Sequence, residues 1–389
     1  MAIKLGGGGD AAPIPTAQFV INESKTFTVP KTGRIKVIIT GGGGQGAFLH
    51  NTSTTLRDNQ GDATGGGAGG YSEKTFNVTA GETFTVTIGS GGATTLSMNS
   101  INSNRVGNNG GNSSFVTFSA AESVNMVANG GGGGQFSAST SSAVTTAGGT
   151  GGTASGGDFN YTGGAGGSIS RVADCPNNAV TTGGGAVALY GTAYRGGNVT
   201  ITGALGTSHK GMGTGGAGIG GQGGDIIETG GGYSVIHRST GGSASRSGFS
   251  DSTNGANWDG NTLLTAGSPF EDPTISVIDA QGYGGYSRYA YNASVFAGTG
   301  SYGGGGGAAI GRLTQSHAFE GGGAGGFAGS GSLNMSGGYY SGNAYIGTRA
   351  GGNGGGGSGA FSSSFSTSTS ATNRNWGPGG DGLCIIMFV

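Results

Sequence analysis

Charge is scarce in this chain. Only 9% of its 389 residues are Asp, Glu, Lys or Arg, and 17 basic against 18 acidic side chains leave a net charge of −1. That balance carries no electrostatic footprint for nucleic acid or for an anionic membrane surface. No apolar run approaches the ~20 residues of a membrane-spanning helix, so membrane insertion is not expected. The opening residues, Met1 to Leu5, lack the apolar core of a signal peptide, so the expectation is synthesis in the cytoplasm without secretory export. Cys175 and Cys384 are too few for a disulfide framework, and each reads as a free small residue. Helical signals are nearly absent, because a glycine interrupts almost every window that could place apolar residues at i, i+3, i+4 and i+7. Proline, at 7 residues, is far below the ~15–20% of a collagen chain, and no strict glycine period is kept.

What the chain has instead is glycine, 97 residues of it. Tracts recur at 41–44, 65–70, 303–307, 321–326 and 351–357. Several run in triplets: 148–153 reads GGTGGT, and 163–167, 215–224 and 322–326 keep a similar beat. A polyproline-II-type backbone turns once every ~3 residues and makes no internal hydrogen bonds. Its N–H and C=O groups must therefore bond to water or to a neighbouring strand. With two of three side chains absent, such strands can lie close and bond sideways. The alternative is a flexible glycine- and serine-rich chain. The low charge, and the alternation of tracts with good strand sequence, favour the ordered arrangement.

Strand grammar surrounds the tracts. Residues 19–21, 27–29 and 35–40 alternate as half-buried strands do, with a turn at 31–33. Residues 71–78 and 83–88 form a hairpin about Ala80-Gly81-Glu82, with Phe84, Val86 and Ile88 on one face. Residues 383–389 are apolar on both faces and are expected to be buried in the N-terminal sheet. This organisation reads as an N-terminal arm or attachment segment at 1–16 followed by one glycine-rich unit at 17–389. Within it, 17–130 and 379–389 form a β-rich part, and 131–378 a glycine-helix bundle with loop insertions in which regular strands become rare.

The ordered set Phe27-Thr-Val-Pro30, 35–44 (IKVIITGGGG), 65–71 (GGGAGGY), 79–89, 110–115 (GGNSSF) and the closing GGDG strand resembles the glycine-rich domains of bacteriophage tail-fibre proteins. The middle of the chain is similar, more loosely, to polyglycine-II sandwich adhesins at the fibre tips of some phages. The resemblance implies an all-β fold with polyglycine-II helices and essentially no α-helix. In it, the N-terminal strands plus the C-terminal strand make an antiparallel β-sandwich, joined to a stacked glycine-helix bundle with long loops. It also implies a virion location, other tail or fibre proteins as partners, a homotrimer, and a bacterial cell-surface receptor, protein or polysaccharide, gripped by distal loops. The insertions here are longer and more scattered than in the compact tip adhesins, and the β-rich part is larger.

The candidate receptor-binding residues are aromatic and basic. Tyr283, Tyr286, Tyr289 and Tyr291 cluster in one insertion, Tyr339 and Tyr340 in another, and Trp258, Arg238 and Arg246 in a third. Tyrosine presents a rigid ring with a polar tip at low entropy cost, which suits sugar stacking and protein contact. Tryptophan and arginine are typical hot-spot residues. The same rings could instead cap the ends of glycine helices. No cofactor is expected. No Gly-Lys-Ser/Thr ending or following helix makes a tract a phosphate loop. His50, His209, His237 and His317 lack a ligand-like spacing, and Glu271, Asp272 and Asp279 lack EF-hand order. No serine sits in a Gly-x-Ser-x-Gly elbow. The reading is therefore non-enzymatic: a virion tail-fibre or tail-tip protein that binds the host receptor through loops on a rigid scaffold. The alternatives are a purely structural fibre connector and, from another class, an ice-binding or other extracellular glycine-helix protein.

Overall fold

The computed structural model describes residues 17–52, 61–93, 95–98, 105–138, 142–173, 177–187, 193–202 and 378–389, together with short segments between 210 and 375. All regular structure among the described residues is β. Strand Gly33–Thr40 lies at the centre of a five-stranded antiparallel sheet. Its order is Ala17–Ile21, Leu383–Phe388, Gly33–Thr40, Tyr71–Val78, Phe159–Tyr161. A second antiparallel sheet has the order Ala154–Ser155, Asn125–Ala128, Ser113–Ser119, Thr83–Thr87, Lys25–Thr28.

The two sheets close over one core that includes Ile35, Val37, Ile39, Phe76, Phe84, Phe115, Met126, Cys384 and Ile386. Phe84 and Phe115 stack at 4.7 Å between ring centroids, and Phe76 meets both edge-on. The alternation read along 35–40 and 83–87 is what aims these side chains inward. Leu383–Phe388 joins the N-terminal sheet as expected. Cys384, Ile386 and Phe388 enter the core, while Leu383 and Ile385 pack on the outer face with Ile38, Tyr71 and Val187. Cys384 is free and buried, and burial pushes its thiol up to about 12. Gly81, at φ 89°, turns the hairpin at the end of the sandwich.

At the other end of the sandwich Gly33–Thr40, Thr83–Thr87 and Asn125–Ala128 run into glycine tracts, Tyr71–Val78, Ser113–Ser119 and Leu383–Phe388 emerge from them, and the tracts form a separate layer. Its hydrogen bonds rotate through different neighbours. Amides of Gly41, Gly44 and Ala47 donate to carbonyls of Gly70, Gly67 and Thr64 at 2.8–2.9 Å. Those of Gly42, Gln45 and Phe48 donate to Gly111, Asn108 and Arg105, and that of Gly43 donates to Gly380. Next along, Thr64, Gly67 and Gly70 donate to Gln135, Gly132 and Asn129. A neighbour is met again every third residue. Residues 41–47 are buried along their whole length. A Cβ at Gly43 would overlap the carbonyl of Gly355, and one at Gly44 that of Gly132. Glycine is thus required here by the closeness of neighbouring backbones.

Where the backbone partners run out, short polar side chains replace them. Asn112 Oδ1 accepts from Gly130 N and Asp381 Oδ1 from Gly91 N, at 2.9 and 2.7 Å. Ser113 Oγ accepts from Gly89 N, and Thr64 Oγ1 accepts from Gln135 N while donating to Ala147 O. The Asn-Ser of GGNSSF and the Asp of GGDG therefore complete the bonding of the layer.

Beyond the glycine layer the chain re-enters strands, which departs from the expectation that regular strands become rare after residue 131. One distal sheet has the order Phe136–Ser137, Gly61–Ala63, Asn177–Val180, Lys210–Gly213, His237–Arg238. A second runs Val144–Thr146, Ile169–Arg171, Val199–Ile201, Ile226–Glu228, and a third Arg288–Tyr291, Ala309–Arg312, Ser316–Glu320, Ala360–Ser364, Phe48–Thr52. Direction follows the tracts. Ile169–Arg171 and Val199–Ile201 both leave the glycine layer and pair in parallel, whereas Val144–Thr146 enters it and pairs antiparallel. These strands are two to five residues long, too short for an alternation to show in sequence.

The layer makes a direct prediction. Gly43→Ala should lower stability by about 1–3 kcal/mol or more, through steric overlap with a buried backbone. Gly33→Ala, whose Cβ would meet the Phe388 ring at an ordinary 3.5 Å, should stay within ~0.5 kcal/mol of the parent. Chemical denaturation of the two variants measures the difference.

Candidate functional site

The three-layer order separates two kinds of surface. At the sandwich end the connections are short: residues 79–82 and 120–124 join successive strands. Glu82 braces this end, its carboxylate accepting from the amides of Thr79 and Ala121. An open depression here is lined by Thr32, Arg34, Asn77, Glu82 and Glu122, among others. At the opposite end, the long insertions begin and end on distal strands. Residues 229–236 lie between Ile226–Glu228 and His237–Arg238, and 239–287 between His237–Arg238 and Arg288–Tyr291. The candidate site is this distal face.

Two ion pairs fasten the platform beneath it. Asp62 on Gly61–Ala63 pairs with the Nη2 of Arg171 on Ile169–Arg171, both side chains fully buried, so the pair ties one distal sheet to the next. Thr146 Oγ1 lies 3.4 Å from Asp62 Oδ2 and adds a third strand to this group. Around it Ile169, Ala179, Val199 and Ile201 form a small apolar cluster. Arg195 Nη1 and Nη2 donate to Asp225 Oδ1 and Oδ2 at 2.7 Å, and Asp225 Oδ1 also accepts from Asn198 N at 2.8 Å. A two-pronged arginine–carboxylate contact fixes orientation as well as distance. These four residues escape sequence reasoning because the partners are far apart in the chain. The one available signal is their rarity: isolated charges beside glycine and strand segments in a charge-poor chain.

The first and third distal sheets stack on one another. Lys210–Gly213 packs on Ala309–Arg312, Asn177–Val180 on Ser316–Glu320, and Gly61–Ala63 on Ala360–Ser364. Arg238, Tyr289 and Tyr291 are the sequence candidates among the described residues. Arg238 lies on the edge strand of one sheet, in register with Gly213. Tyr289 and Tyr291 lie on the edge strand of the other, in register with Ile310 and Arg312. The stacking order puts both edges on the same side of the stack. Tyr283, Tyr286, Trp258, Arg246, Tyr339 and Tyr340 lie outside the described residues.

Titration is displaced elsewhere. Burial, and then the Glu73 carboxylate that accepts its hydroxyl at 2.6 Å, hold the Tyr71 phenol above its usual range. Among the described residues, no group of three His, Cys, Asp or Glu side chains could hold a metal ion. There, too, no helix is long and apolar enough to cross a membrane.

The family model of a glycine-rich domain matches residues 20–233, more than half of the chain. The match takes in the sandwich strands from Lys25–Thr28 to Phe159–Tyr161, most of the described glycine layer and the braced distal strands, and leaves out Leu383–Phe388. No match to a curated protein is found.

The brace generates its own test. Asp62→Ala strands a buried guanidinium and should cost about 3–5 kcal/mol. Asp62→Ala combined with Arg171→Met should recover a large part of that loss. Urea unfolding of the parent, single and double variants reads the coupling directly.

Proposed function

We propose that this chain, which belongs to the glycine-rich domain family, is a virion tail-fibre or tail-tip protein of a bacteriophage that binds a receptor on the host cell surface. The observation that carries the reading is the polarity of the molecule. A backbone-bonded layer holds a plain, short-turned sandwich on one side and long insertions rooted in braced distal strands on the other. Loops on a stiff base lose little order on binding, so more of the contact energy remains as affinity.

In this reading the distal insertions meet the receptor, a protein or a polysaccharide. Tyr283, Tyr286, Tyr289, Tyr291, Trp258, Arg238, Arg246, Tyr339 and Tyr340 are the contact candidates. The sandwich end, where Ala17–Ile21 and Leu383–Phe388 lie side by side, faces the rest of the particle, and residues 1–16 attach to other fibre proteins. A homotrimer is the assembly proposed. The second reading is a connector that joins fibre parts without touching the host. The open depression about Arg34, Glu82 and Glu122 favours a protein contact at the sandwich end, which both readings use.

The two readings separate in one assay. Purified protein of an adhesin should bind susceptible cells and block infection by the parent virus, whereas a connector should do neither. Replacing Tyr283, Tyr286 and Tyr289 together by alanine should abolish binding while the thermal transition is kept. Collapse of the fold instead would identify these rings as caps on the glycine tracts.

A further inference from the structure

Four neighbouring strands at one edge of the distal stack carry an unusual set of charges. Lys210–Gly213 and His237–Arg238 pair in parallel at the end of one sheet, and Arg288–Tyr291 and Ala309–Arg312 pair in parallel at the end of the other. Lys210–Gly213 packs on Ala309–Arg312, which brings the two ends together. The four strands hold Lys210, Arg238, Arg288 and Arg312 and no carboxylate. In the whole chain 17 basic residues are matched by 18 acidic ones. The carboxylate in register beside them is Glu320, opposite Ala309. Tyr289 and Tyr291 sit two apart on the same edge strand and therefore share a face, and Tyr291 is level with Arg312.

Arginine presents a planar fork matched to carboxylates, and tyrosine a flat face that suits a sugar ring. Resting on the adhesin reading, we infer that the edge formed by Lys210, Arg238, Arg288, Tyr289, Tyr291 and Arg312 binds an acidic polysaccharide of the cell surface. The arginines take its carboxylates and the tyrosines its pyranose faces. With these four set aside, acidic residues outnumber basic ones in the rest of the chain, so that the polymer is drawn to the distal edge and not to the sandwich.

The test uses the full chain with polygalacturonate and with its fully methyl-esterified form, which keeps the sugar backbone and removes the charge. The expected result is at least tenfold tighter binding to the acid form in 50 mM salt, fading toward 1 M salt as screening shortens to ~3 Å. The combined variant Arg238→Gln, Arg288→Gln, Arg312→Gln should lose at least tenfold of that binding. The matching lysine variant should keep most of it, and Lys25→Gln on the exposed face of the sandwich should change nothing. Equal binding to both polymers, or no loss in the glutamine variant, overturns the inference. Binding to susceptible cells that disappears after protease treatment of those cells overturns it too, while leaving the adhesin reading standing. Failure to bind cells at all removes the reading beneath it.

Discussion

The hydrogen bond between neighbouring bare backbones is the interaction on which the rest of this structure depends. Each such bond contributes only about 0.5–1.5 kcal/mol net, and each glycine costs roughly 0.5–1 kcal/mol more backbone entropy than alanine in regular structure. The layer therefore holds only if its bonding is nearly complete. A buried amide left without an acceptor would cost about 1–3 kcal/mol and cancel one or two good bonds. This explains the polar residues at its margins. Asn112, Asn109 and Asp381 each supply a side-chain oxygen to a glycine amide for which the layer has no carbonyl. Thr181 does the same deeper inside, accepting from Gly65 N and donating to Gly167 O.

A layer bonded in this way also governs what lies on either side of it. A tract crosses from one β-layer to the other, so a strand's direction is fixed by whether it enters or leaves the glycine. The antiparallel sandwich and the mixed distal sheets are two outcomes of that single rule. The sandwich gains stability in the ordinary manner, from a core of Phe84, Phe115, Met126 and their neighbours. Among the described distal residues the apolar cluster is small. There the Asp62–Arg171 pair and the Arg195–Asp225 fork hold register around the cluster of Ile169, Ala179, Val199 and Ile201. Rigidity is thus handed outward from backbone bonds to ion pairs, and from those to the segments that carry Arg238, Tyr289 and Tyr291.

Much of this was legible in the sequence, for physical reasons that also mark where legibility stops. Gly33–Thr40 and Thr83–Thr87 are long enough for their alternation to declare a buried face, and Leu383–Phe388 declares two. The triplet beat at 148–153 anticipates the three-residue period of the bonds, because a missing Cβ is the only way two backbones can come so close. Three-residue strands such as Ile169–Arg171 offer no alternation to read, and their partners are chosen by the layer and not by their own side chains. Asp62 and Arg171 are 109 residues apart, and nothing local announces that they meet. Of the candidate site, the edge strands with Arg238, Tyr289 and Tyr291 come to one side of the distal stack, a juxtaposition that only the pairing order of two sheets reveals.

If the glycine layer is the element that everything else leans on, its amides must be closed to solvent as firmly as those of the sandwich. Hydrogen exchange of the native chain, followed peptide by peptide, measures this directly. The account predicts that 41–47, 64–70, 129–134 and 147–153 exchange as slowly as Gly33–Thr40 and Ser113–Ser119, and are released together with them on unfolding. Exchange of those glycine segments at the rate of a random coil, with the sandwich strands still protected, would contradict it.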